Sequence, residues 1–174
     1  MAAEYVGKTV RQGKVLLIRG IMSQLTSQDR ELGFLTAIRK YPAIHIEQII
    51  EGQWSTQNTI EALQQLSRVQ LGQFQAVFAY NDLMALGAAT SFQKYALRPL
   101  IVGYDGILEA QSAILAGDID ATVTQDPGEM GRRAVLRLRQ CIEQQVFHGD
   151  TDLTHASLLL AVRTLTAVSS YGQE

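Results

Sequence analysis

Short apolar runs and amphipathic stretches take strict turns along this chain. Lys14-Val15-Leu16-Leu17-Ile18-Arg19 is a compact apolar run closed by Gly20, the pattern of a buried strand. Over 26–40, Leu32, Leu35, Ala37 and Ile38 recur at helical spacing until Tyr41-Pro42 stops them. The same reading predicts strands at 43–50, 75–79, 100–103 and 121–124, and a last one within 157–163. It predicts helices at 56–69, 82–95, 107–116 and 127–146, the last opened by Pro127, where a missing N–H costs nothing. Such alternation specifies an α/β fold: a three-layer, Rossmann-like unit with a mostly parallel sheet and helices on both faces. Right-handed crossovers then gather the segments after the strands at one edge, where open α/β sheets bind ligands.

Composition removes several classes of function. At 174 residues with 47% apolar, the chain suits one layered core. With 15 basic against 17 acidic residues it lacks a nucleic-acid binder's basic footprint, so no nucleic-acid partner is expected. No apolar run approaches the roughly 20 residues that span a bilayer, and Met1-Ala2-Ala3-Glu4-Tyr5 is not the start of a signal peptide. A single cysteine excludes an internal disulfide and a cysteine-based zinc site, and His45, His148 and His155 are scattered, so neither metal nor cofactor is expected. His45 is expected on an exposed strand position, and Cys141 on an apolar helix stripe as a buried thiol. Nucleotide-binding glycine loops, a nucleophile elbow and a zinc-protease motif are all missing, which argues against an enzyme.

The strand ends carry the chemistry. Gly20 and, one turn into the next helix, Asp29-Arg30 follow the first strand; Gly52-Gln53-Trp54-Ser55 follows the second. Tyr80-Asn81-Asp82, Tyr104-Asp105-Gly106 and Gln125-Asp126-Pro127 follow the next three. One edge thereby collects a guanidinium, a carboxylate, two amides and aromatic rings. Asp accepts from hydroxyls, Arg donates in a planar fork, Asn and Gln do both, and aromatic faces cover the C–H face of a sugar ring. Plainer roles compete. Asp82 is expected to cap a helix, Asn81 and Asp105 fit turn-forming positions, Trp54 and Tyr104 fit core or rim aromatics, and Arg30 fits a solvated helix site.

Asn81-Asp82-Leu83-Met84-Ala85-Leu86-Gly87-Ala88, Val102-Gly103-Tyr104-Asp105-Gly106 and Ala121-Thr122-Val123-Thr124-Gln125-Asp126-Pro127 resemble the C-terminal half of periplasmic sugar-binding proteins of the ribose/galactose type. Ile18-Arg19-Gly20 and Asp29-Arg30-Glu31-Leu32-Gly33-Phe34 extend the likeness, which covers 5–163. The resemblance implies a periplasmic-binding-protein-like lobe whose ligand contacts are Arg30, Trp54, Asn81, Tyr104, Asp105 and Gln125. Tyr104 stands where Phe is usual, and Gln53-Trp54-Ser55 departs from the more acidic version of that turn, so the identity of the sugar stays open.

The same resemblance implies a ligand-binding lobe over 1–126, a crossover helix over 127–150 that packs on another lobe, and a returning strand and tail over 151–174. The chain is thus expected to be one truncated lobe of a two-lobe clamp, binding a monosaccharide or similar polyol for an ABC-transport or chemosensory receptor. Its partners would be the sugar and, in full-length context, a membrane permease or sensor, in a periplasmic or extracytoplasmic location. The alternative is the sugar-sensing domain of a LacI-type repressor or of a membrane sensor kinase. Met130, Ala134, Leu138 and Ile142 form an apolar stripe on the crossover helix, from which a homodimer or a helix swap is expected.

Overall fold

A computed structural model describes residues 1–144 and 156–160. In chain order it runs α1 (Ala2–Val10), β1 (Gly13–Arg19), α2 (Leu25–Ile38), β2 (Ile44–Glu51), α3 (Thr56–Gln64), α4 (Arg68–Leu71) and β3 (Phe74–Ala79). There follow α5 (Asp82–Gln93), β4 (Leu100–Asp105), α6 (Leu108–Ala116), β5 (Ala121–Gln125), α7 (Pro127–Gln144) and β6 (Ala156–Leu160). The strands form one sheet in the order β2-β1-β3-β4-β5-β6, parallel except for β6, which runs antiparallel to β5. Helices α1 and α2 pack together over one side of the sheet, and α3, α5 and α6 over the other.

The core follows from the run-like strands. Val15, Leu16, Leu17 and Ile18 of β1 and Ala76, Val77, Phe78 and Ala79 of β3 are buried, as central parallel strands covered on both faces must be. The edge strand β2 instead alternates, and its pairing with β1 steps from Val15–Ile46 to Leu16–Gln48, leaving Glu47 unpaired in the register. The exposed positions stay in phase across that step: His45 is exposed as expected, and Glu47, Ile49 and Glu51 are exposed with it.

Several sequence expectations change. Helix α1 is not anticipated; its inward face is made of small residues, Ala2, Ala3 and Gly7 beside Val6. Gly7 is needed there: a Cβ would overlap the Tyr41 ring. The single helix expected over 56–69 is two helices, because Ser67 starts a new one. Its hydroxyl accepts from Gln70 N at 3.3 Å and Gln70 Oε1 accepts from Ser67 N at 2.9 Å, a capping box. Asp82 does not cap α5. Asn81 does, through Oδ1 accepting from Met84 N at 2.9 Å, while Asp82 is the first helical residue and turns inward. Strands β4 and β5 run on to Asp105 and Gln125, so these residues end strands rather than follow them.

Helix α7 opens at Pro127 as expected, but Cys141 on its stripe is half-buried rather than buried. The reason is that the stripe meets too little of this chain: Val135 is 68%, Leu138 58% and Ile142 63% exposed. The continuation of that helix to 146, His148, His155, and the segments 145–155 and 161–174 lie outside the described residues.

Candidate functional site

The strand order reverses at β1, with β2 on one side and β3 on the other, so the crevice beyond the carboxyl ends of β1 and β3 is the topological switch point. Arg30, on the first turns of α2, reaches across it: Nη1 donates to the Tyr80 carbonyl at the end of β3. Its other fork nitrogen, Nη2, donates to Asp105 Oδ1 at 2.8 Å. Gln125 Nε2 donates to the same oxygen at 2.9 Å. Residues 75 and 95 positions from Arg30 in sequence thus meet on one carboxylate. The Arg30 side chain retains 12% of its exposure and Asp105 32%, so the pair is shielded but reachable.

Both predicted rings converge on Arg30. Its Cζ lies 3.9 Å from the Tyr104 ring centre and 5.5 Å from that of Trp54, within cation–π range. Trp54 sits in a turn where it and Gln53 adopt positive φ, 63° and 50°. Side-chain contacts hold that turn. The indole Nε1–H donates to Gln24 Oε1 at 2.7 Å, Asn58 Nδ2 donates to Gln53 Oε1 at 3.1 Å, and the Trp54 ring lies where a Cβ on Gly20 would be. Asn81, the sixth predicted residue, is 8% exposed; Oδ1 is spent on its cap and Nδ2 donates to the Trp54 carbonyl at 3.4 Å. It therefore ties the Trp54 turn to α5, and in this structure offers little of its amide outward. The other five surround a shared polar centre.

The electrostatics are those of a neutral site. Burial pushes the Asp105 carboxyl above the usual carboxylate range, against the lowering pull of Arg30 and Gln125. With one guanidinium and one carboxylate paired, the centre carries no strong net field. Asp105 itself has φ 118°, a conformation that L residues seldom adopt and that persists only where neighbours impose it. Arg30 and Tyr104 also line a cavity of about 280 Å³ between α1 and α2, with Phe34 and Phe78 on its wall; Asp105, Gln125 and Trp54 do not line it. Among the described residues no group of three or more His, Cys, Asp or Glu is placed to hold a metal ion.

Sequence reasoning missed three supports. Gln24 and Gly20 seat Trp54, and the Tyr80 carbonyl anchors Arg30. A glycine directly after a strand is the one signal that could have pointed to close approach at Gly20. Behind Arg30, Glu31 accepts from the buried Tyr80 hydroxyl at 2.8 Å and lies 3.7 Å from Arg19, pinning α2 to the ends of β1 and β3. Burial and the Glu31 carboxylate keep the Tyr80 phenol protonated, well above its ordinary pKa.

Known proteins resemble this chain in sequence and in fold. Residues 1–145 match the family described as Periplasmic binding protein domain. The chain is 30% identical over 139 residues to the ribose import binding protein of Escherichia coli (strain K12), covering 78% of this chain and 46% of the relative. It is 30% identical over 123 residues to the D-allose-binding periplasmic protein of the same organism, covering 68% and 39%. Among solved structures, it superposes with a TM-score of 0.76 and 26% identity on an ABC transporter periplasmic solute binding protein from Actinobacillus succinogenes 130z with bound D-allose, covering 84% of this chain and 53% of that one. The same TM-score, 0.76, and 26% identity relate it to the periplasmic binding protein of the arabinose ABC transporter from Shewanella sp. ANA-3, over 91% and 54%. The chain spans about half the length of the curated relatives it matches. It belongs to the periplasmic binding protein domain family.

Proposed function

We propose that this chain supplies one face of a monosaccharide-binding site and acts by binding rather than by catalysis. The observation that carries the reading is the convergence of Arg30, Asp105 and Gln125 on one shielded centre, with the Tyr104 and Trp54 rings against the guanidinium. Asp105 accepts from sugar hydroxyls, Gln125 both accepts and donates, Arg30 donates in a planar fork, and the rings cover apolar C–H faces. Asn81 contributes by holding the Trp54 turn and meets the ligand at its edge. A paired carboxylate and guanidinium favour an uncharged polyol over an anion or a cation, since either charge would face an equal and opposite one already satisfied. The ribose- and allose-binding relatives and the arabinose and allose receptors among the solved structures support an aldose as ligand.

In this reading 1–126 is the ligand-binding lobe, α7 within 127–150 reaches out to a further surface, and 151–174 returns to the sheet through β6. The protein works outside the cytoplasm as a solute receptor for an ABC permease, and closure of a second surface over the polar centre is what such a partner senses. For the 174-residue chain alone, the stripe of Met130, Ala134, Leu138 and Ile142 is covered by a second copy, by pairing or by exchange of α7 and β6. Trp54 is the only tryptophan, so its fluorescence reports directly on the site. D-ribose and D-allose should change that signal saturably, and Asp105→Ala should abolish the change. A response surviving Asp105→Ala unaltered would overturn the site.

A further inference from the structure

Asp82 takes no part in the polar centre, yet it is fully buried and ionisable, and three donors from two strands aim at it. Its Oδ2 accepts from Gly106 N at 2.6 Å and from Ile107 N at 2.9 Å, the two amides that follow Asp105. Its Oδ1 accepts from Thr122 Oγ1 at 2.6 Å, in the middle of β5. Gly103 makes the approach feasible, because a Cβ there would overlap Asp82 Oδ1. One side chain at the start of α5 thereby fixes the chain immediately after Asp105, where φ is 118°, and fastens it to β5, which carries Gln125. A conformation of that kind relaxes unless its neighbours hold it. On the C-terminal side of Asp105, Asp82 holds the two backbone N–H groups, while Gln111 Nε2 donates to the Gly106 carbonyl at 2.8 Å.

We propose that Asp82 is a positioning residue: its buried carboxylate sets the backbone at Asp105 and so the aim of the Asp105 carboxylate at Arg30, Gln125 and the ligand. This rests on Asp105 being a ligand contact, as argued above. The carboxylate is suited to the task because both of its oxygens accept and none of its partners has to turn. Asparagine retains one oxygen for the two amides and can donate to the Thr122 hydroxyl, which rotates to accept. Alanine leaves all three donors without their acceptor.

The test compares Asp82→Ala and Asp82→Asn in the full chain, first without ligand. The Arg30 guanidinium is held by Asp105, the Tyr80 carbonyl and two rings, so its Nη resonances should be resolved in the parent protein by NMR. They should merge in Asp82→Ala, as they should in Asp105→Ala, with the amides of β1 and β3 unmoved, and should stay resolved in Asp82→Asn. With D-ribose followed by Trp54 fluorescence, Asp82→Ala should weaken binding by about tenfold to a hundredfold, the scale of a lost charge-assisted hydrogen bond, and Asp82→Asn should recover most of it. A folded Asp82→Ala variant with parental Arg30 resonances overturns the proposal, as does equal loss in the Ala and Asn variants. If Asp82→Ala does not fold, it is remade with Asp105→Gly, which removes the cost of positive φ. Folding should then return, and continued failure would assign Asp82 to the core instead. If D-ribose and D-allose leave the parent's fluorescence unchanged, the sugar reading falls while the guanidinium resonances still decide the role of Asp82.

Discussion

Single residues in this protein are constrained by what must come close to them. Gly103 sits inside a strand because the Asp82 carboxylate occupies the space of a side chain. Gly103→Ala should therefore destabilise the fold by about 1–3 kcal/mol, the usual cost of overpacking a filled site, and calorimetry should show a lowered Tm with Trp54 fluorescence still native-like. Asp120 gives a different test. Its Oδ2 accepts from Ile101 N at 2.7 Å, and burial raises its carboxyl above the usual range against the opposing pulls of Ile101 N–H and Arg98. The folded state then holds the proton more tightly than the unfolded one, so the stability this group gives is full at low pH and is lost as pH rises through the folded pKa. Asp120→Asn keeps the acceptor without titrating. Its Tm should climb relative to the parent as pH rises above the ordinary carboxylate range, about 4, and a difference that stays constant with pH would contradict the assignment. None of these constraints was legible in the sequence, where Asp82 looks like a helix cap and Asp120 like a loop residue. Identity shows that a residue can accept a hydrogen bond, whereas the identity of the donor depends on strands 19 and 40 positions away.

At the level of elements the sequence was far more readable, for a reason of period. Central parallel strands are buried on both faces, so Val15 to Ile18 and Ala76 to Ala79 announce themselves as apolar runs. Turn chemistry sharpened the boundaries where it was used and blurred them where it was not. The Ser67–Gln70 capping box that divides α3 from α4 is written in the sequence, yet the apolar spacing across it runs on as one helix. Helix α1 was not anticipated. Strands β4 and β5 extend to Asp105 and Gln125 because the last residues of each still pair, up to Asp105 with Thr124 and Gln125 with residue 156. Helix α7 was legible in its start at Pro127 and in its character: its apolar stripe is exposed along Val135, Leu138 and Ile142. A charge there should cost the fold little and association much. Leu138→Glu with Ile142→Glu should leave the unfolding free energy within about 0.5 kcal/mol of the parent, as expected for exposed positions, and should shift sedimentation from dimer to monomer. A parent chain that sediments as a clean monomer at tens of micromolar would contradict the self-association.

For the whole molecule, the order 2-1-3-4-5 explains why six residues named from strand ends belong together. It brings the ends of β1 and β3 side by side at the switch point and leaves β2, β4 and β5 to flank them. Five of the six meet around the Arg30–Asp105 pair, while Asn81 lies one shell further in, holding the Trp54 turn. The sequence identified the residue types, but it could not show that they satisfy one another before any ligand arrives. On the proposed function a ligand would have to exchange existing bonds for its own, which favours several hydroxyls placed together over a single polar group. The most direct measurement is an amide chemical-shift map of the full chain titrated with D-ribose and D-allose. Saturable shifts should cluster at 20–24, 53–55, 80–82, 104–107 and 125–126, and should vanish in Asp105→Ala. Shifts centred elsewhere, or none at millimolar sugar, would contradict the account.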